Sequence, residues 1–193
     1  MSANVSVAET QVVIDRVLDA PVEAVWRVLS TPALHAAADA SEMVRGARQL
    51  RPVVGLGDTF EMDMQRGPEE SDRYVVVNTV IAFEPRRTIA WEVNTAERRL
   101  GWTWRYDLRP VGEVGTRTAV RLTYDWAEAD PEALASIGRP MPAIAPPLLV
   151  RGMELLEVEA ALLEPADDLA TSSEVVGSQA QADGLVGSEA HER

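Results

Sequence analysis

Cysteine is absent from this 193-residue chain, which excludes disulfides, thiolate metal ligands and a cysteine nucleophile. Lysine is absent too. All 18 basic residues are arginine, so Schiff-base chemistry and a P-loop lysine are ruled out. Histidine occurs twice, and His191 stands two residues from the C-terminus, which leaves His35 as the one imidazole for a triad or a His-rich metal site. Positive charge is outnumbered by 31 acids, and a net charge of −13 argues against a general nucleic-acid binder, because phosphate neutralisation needs a basic surface. Residues 164–193 hold seven of those acids and one arginine, so the rest of the chain carries only −7. Long apolar runs are missing, and stretches such as PAIAPPLLV are broken by proline. The start MSANVSVAET has neither a basic n-region nor an apolar h-region. These features predict a soluble cytoplasmic protein with no integral membrane association. The length favours one domain.

Hydrophobic periodicity supplies the architecture. Thr10 to Leu18 is rich in β-branched residues and reads as a strand, with Ile14, Arg16 and Leu18 on one parity. Pro21 and Glu23 open a helix whose Val22, Val25, Trp26 and Leu29 share one face, and Thr31–Pro32 opens a second short one to about Ala40. From Met43 to Trp126 the period becomes two. Phe60, Met62 and Met64 alternate with polar residues, as do Ile89, Trp91 and Val93, then Trp102, Trp104, Tyr106 and Leu108, then Thr118 to Trp126. Tyr74–Phe83 is apolar on both parities, so its inward face stays open and a bulge is one solution. A brief helix is expected over 130–138, and a long one from Pro147 to about Leu163. The long helix carries an apolar stripe of Leu149, Met153, Leu156, Ala160 and Leu163 opposite Arg151, Glu154 and Glu157. Gly152 in that helix costs about 1 kcal/mol relative to alanine and permits a close approach. The expected fold is α+β, with a curved antiparallel sheet of six to seven strands around the C-terminal helix and two short helices after the first strand. Residues 1–9 read as an N-terminal extension and 10–165 as the domain. Residues 166–193 read as a disordered acidic tail, whose removal is expected to leave stability unchanged.

Five segments add a second line. VIDRVLDAPVEAVWRVLS, GLGDTF, FEPRRTIAWEV, GWTWRYDL and GTRTAVRLTYDW together resemble the SRPBCC (START-like, Bet v 1-like) superfamily, over about residues 10–163. Within it the chain is most similar to the polyketide cyclase/dehydrase and lipid-transport branch. The resemblance implies a helix-grip fold with a cavity between sheet and long helix. It also implies ligands such as sterols, lipids, hormones or polyketides, and activities ranging from carriage to cyclisation.

A cavity of that kind is lined by the inward strand parity and the helix stripe. That parity supplies Phe60, Met62, Met64, Trp91, Trp102, Trp104, Tyr106, Leu122, Tyr124 and Trp126, and the helix adds Leu149, Met153 and Leu156. Methionines and aromatics suit a plastic apolar pocket, although the same residues also serve a closed core. Tyr106 and Tyr124 either offer hydroxyls to a developing enolate or reach the rim and water. Arg16 on the inward parity needs a carboxylate, from a neighbouring element or from a ligand. His35 is either a general base or an exposed or packed structural residue, and Asp39 lies at helical contact spacing from it. Asp58, Glu61 and Asp63 read as solvated loop and strand charges. Arg86–Arg87 and Arg98–Arg99 read as solvated hairpin tips, with an acidic ligand group as the alternative. No HExxH or EF-hand spacing occurs, and GLG at 55–57 has no helix behind it, so neither metal nor nucleotide cofactor is expected. Three functions remain open: carriage of a hydrophobic or aromatic small molecule, cyclase/aromatase-like catalysis, and a protein-interaction module using the acidic tail.

Overall fold

Alternating side chains stack eight strands into one antiparallel sheet in the computed structural model, which describes residues 3–112, 115–136 and 140–163. The strands are β1 (Asn4–Val7), β2 (Gln11–Leu18), β3 (Val44–Ala47), β4 (Thr59–Gln65), β5 (Arg73–Glu84), β6 (Thr88–Asn94), β7 (Arg99–Val111) and β8 (Arg117–Asp125). Their order is β1-β2-β8-β7-β6-β5-β4-β3, so β3 to β8 form a meander and β2 returns to pair with its last strand. Helix α1 (Val22–Ser30) follows β2, and α2 (Pro131–Ser136) and α3 (Pro146–Leu162) follow β8. The expected acidic tail at 166–193 lies outside the described residues.

The sheet has eight strands where the periodicity predicts six to seven. The additional strands include the short edges β1 and β3, four residues each, and neither carries a buried–exposed alternation. Backbone pairing makes them strands: Asn4 to Val7 register against Asp15 to Val12, and β3 pairs with β4 across a register shift at Val44/Gly46. A second correction concerns 32–40. Only Pro32–Leu34 is helical, as a 3-10 turn, and Ala37, Ala38 and Asp39 continue with bonds to the carbonyl three residues back. Side chains stop the helix here. The Asp39 carboxylate accepts from the backbone N–H groups of Ser41 (3.0 Å) and Val44 (2.9 Å), which ties the chain into a turn.

The open face of β5 is settled by its neighbours. Val76, Asn78 and Val80 are buried, and a register shift between Val80 and Ala82 leaves Ile81 unpaired and exposed. After this bulge Phe83 meets Trp26 of α1 edge-on, with ring centroids 5.2 Å apart. Val22, Val25, Val28 and Leu29 of α1 and Leu149, Met153, Leu156 and Ala160 of α3 are buried. Each such Val, Leu or Met contributes about 1.5–3 kcal/mol through burial. Helix α3 packs on α1 and β2. A Cβ at Gly152 would stand 3.2 Å from the Ala38 carbonyl oxygen, so the glycine lets α3 approach the 36–41 segment. Glu154 and Glu157, read from the helical stripe as solvent-facing, flank that stripe instead and meet Arg16 of β2.

Candidate functional site

The inward face of the sheet and the buried stripe of α3 do not meet everywhere. Between them lies a cavity of about 440 Å³, a size suited to a small molecule. Phe60 and Met62 of β4, Trp91 of β6, Trp104 and Tyr106 of β7, Leu122 and Tyr124 of β8, and Met153 and Leu156 of α3 all line it, as their parity and helical spacing place them. Met64, Trp102 and Leu149 line it as well. Met64, Trp102, Trp104 and Tyr106 are only half-buried although they face inward, because their free surface belongs to the cavity. Trp126 is not in the lining; it packs against Tyr124 at 5.4 Å.

Ring packing orders one wall. Trp91 and Trp104 are cross-strand partners, as are Trp104 and Tyr124, and the latter two rings stack at 4.3 Å. His35 stacks on Trp91 at 5.3 Å and stands edge-on to Phe60 at 5.6 Å, and Trp91 in turn stacks on Tyr106 at 5.6 Å.

Few polar groups reach this wall. His35 Nε2 lies 2.9 Å from the Leu29 carbonyl oxygen, so it carries the proton and donates, leaving Nδ1 bare. Burial pushes the His35 pKa down to about 4, against the smaller upward pull of the Leu29 bond. Asp39 does not pair with His35; its carboxylate is occupied by Ser41 and Val44. Burial, reinforced by the Asp39 charge, raises the Tyr106 pKa well above the ordinary phenol range. Asn78, 3% exposed, donates from Nδ2 to the Phe60 carbonyl at 3.4 Å and borders the cavity.

Arg16 lies outside the lining. Its Nη1 and Nη2 atoms reach Glu154 and Glu157 at 3.3 and 3.4 Å, and Nε is buried without a partner. Most of the remaining candidates have structural partners, Arg86 and Arg98 being without an ion pair among the described residues. Asp58 accepts from the Val54 N–H at 2.7 Å, and Arg48 holds Glu61 and Asp63 on the outer face. Arg87 pairs with Glu84, and Arg99 with Glu92. Among the described residues no group of three His, Asp or Glu side chains is placed to hold a metal ion. No helix among them is long and apolar enough to cross a membrane.

Periodicity alone misses Asn78, Tyr74 and Arg66, all of which border the cavity. The signal for Asn78 is a lone amide within a β-branched run, hidden because both parities of that run are apolar. Arg66 follows the last residue of β4 and carries no pattern.

No protein-family model and no curated protein matches the sequence. Solved structures do resemble it. A Rhodobacter sphaeroides protein is 21% identical over 84% of this chain and 100% of its own, with a TM-score of 0.59. An Arthrobacter aurescens protein is 15% identical over 89% of this chain and 96% of its own, at 0.56. An AHSA1-like protein from Aeromonas hydrophila is 17% identical over 78% of this chain and 92% of its own, at 0.48. Likeness to the first two of these, at such identities, shows the fold alone.

Proposed function

We propose that the chain binds and carries a hydrophobic or aromatic small molecule in the cavity between sheet and α3, as a member of the SRPBCC superfamily. The observation that carries this reading is the cavity itself, about 440 Å³ walled by aromatic and methionine side chains. A closed core of the same residues would leave no such space, since interiors pack to crystal-like density. The SRPBCC-like segments around DAPVEAVW and FEPRRTIAW support the same reading, and a lipid- or polyketide-like ligand belongs to it.

Carriage fits the site better than cyclisation. General acid–base work wants groups that titrate near the working pH. Burial moves His35 down to about 4, which makes its neutral imidazole a weak base, and moves Tyr106 upward, which leaves its hydroxyl as a hydrogen-bond donor and not as a proton-transfer group.

N-phenyl-1-naphthylamine, an uncharged apolar probe, tests the proposal. Trp91, Trp102 and Trp104 border the cavity, so bound probe should be excited by energy transfer from tryptophan in a saturable, single-site titration. Met64→Trp, which fills the cavity from an inward and half-buried position, should abolish the signal while the far-UV spectrum stays unchanged. Absence of saturable uptake by the unaltered protein would refute the proposal. So would equal uptake by the filled variant.

A further inference from the structure

We infer that the cavity selects ligands bearing an anionic group at their outer end, held by Arg66 and Arg98; this deepens the binding reading above and rests on it. The two arginines come from adjacent hairpins. β4 and β5 pair up to Gln65↔Arg73, and β6 and β7 up to Asn94↔Arg99, so the turns between them lie at the same end of the sheet. Arg66 begins one turn and Arg98 ends the other, and both border the cavity while remaining exposed. They stand where the apolar wall opens to solvent.

Their charges are left over. Among the described residues neither arginine pairs with a carboxylate, whereas their neighbours Arg48, Arg73 and Arg99 hold acids at 2.8, 2.8 and 2.6 Å. Acids in the two hairpins other than Glu97 are engaged elsewhere, and Glu97 is exposed and pairs with neither arginine. Glu70 is taken by Arg73, Glu92 by Arg99, and Asp72 accepts from the Glu69 N–H. Asp39 also borders the cavity, but its carboxylate is occupied by Ser41 and Val44. The Arg66 guanidinium is also aimed inward: its Cζ sits 5.1 Å from the centroid of the Tyr74 ring, which is itself part of the lining. The two turns as a whole are not basic, since residues 66–73 and 92–99 carry five acids against four arginines, so attraction of an anion rests on short-range contact with these two guanidinium groups.

The ligand class follows from that chemistry. An apolar or aromatic body fills the cavity, and a terminal carboxylate, sulfonate or phosphate meets the planar forks of the guanidinium groups.

A matched pair of probes separates this inference from its premise. 1-Anilinonaphthalene-8-sulfonate and N-phenyl-1-naphthylamine share one ring skeleton and differ by the sulfonate. Arg66→Gln with Arg98→Gln should weaken the sulfonate probe about tenfold at low salt, about threefold for each exposed charge. The uncharged probe should change less than twofold. Added salt should weaken the sulfonate probe in the unaltered protein and do little in the double variant. Arg86→Gln, at the β5–β6 turn on the opposite end of the sheet, controls for net charge and should leave both probes unchanged. Unchanged sulfonate affinity in the double variant overturns the inference and leaves the cavity reading standing. Equal weakening of both probes, or an equal effect of Arg86→Gln, overturns it as well. Failure of both probes to bind the unaltered protein overturns both readings.

Discussion

Acidification from pH 8 to pH 5 should cost this protein about 2 kcal/mol of stability through His35. The imidazole is enclosed by Trp91, Phe60 and the Leu29 carbonyl, and burial lowers its pKa from 6.5 to about 4. In the unfolded chain it titrates near the ordinary value of about 6.5. Between those two values the unfolded state binds a proton that the folded state refuses, so stability falls as pH falls. At pH 5 the unfolded side chain is about 30-fold more protonated than neutral, and the folded one about tenfold the other way. That difference amounts to about 2 kcal/mol, rising to about 3 below the folded pKa. Asp15 and Glu92 are held below the usual carboxylate range by hydrogen bonds from Arg121 and Arg99, so their losses begin at lower pH and leave this window to histidine. Urea unfolding followed by circular dichroism at pH 8, 7, 6 and 5 reads the effect directly. His35→Gln keeps an N–H donor for Leu29 and removes the titration, and His191 is common to both proteins and cancels. The stability of the variant should therefore be flatter by about 2 kcal/mol across the window. Parallel curves for the two proteins would refute the burial argument.

The Arg16 cluster should respond asymmetrically. Glu154→Gln with Glu157→Gln removes both counter-charges of an arginine whose side chain is 11% exposed and should cost about 2–3 kcal/mol, whereas Arg16→Met removes the charge itself and should cost less than about 1. Glu154 keeps Arg151 in that second variant, and both glutamates retain access to water. Urea midpoints in the reverse order would show that the pairing contributes more than the buried charge costs. Thr118 is fully buried and its hydroxyl donates to the Ala20 carbonyl at 2.8 Å. Thr118→Val keeps the shape and strands that carbonyl, which should cost about 1–2 kcal/mol by calorimetry; an unchanged melting temperature would rule the bond out as a contributor.

Much of the site was legible along the chain because a strand side chain alternates faces and a helix repeats every 3.6 residues. Once Phe60 faces inward so does Met62, and once Leu149 is buried so are Met153 and Leu156. Legibility failed where local pattern carries no information. Asn78 was hidden by a strand apolar on both faces, and its inward direction came from pairing with β4 and β6 and from the bulge at Ile81. The strands at 4–7 and 44–47 have no alternation to read, since backbone pairing with a neighbour, and not a buried face along the strand, defines them. The segment 32–40 carried helix signals that the Asp39 side chain overrides.

By itself, the sequence determined which chemistries were unavailable, which positions share a strand face and which share the helical stripe, because composition and periodicity are local properties. Only the tertiary structure decided that those faces stand apart far enough to leave a cavity. It also decided that Arg16 meets Glu154 and Glu157 of α3 outside the cavity, that burial keeps His35 from taking up a second proton, and that Arg66 and Arg98 border the cavity from the same end of the sheet. Each of these depends on the distance between residues remote in the chain, and on which acids other arginines have already taken, quantities that no local pattern encodes.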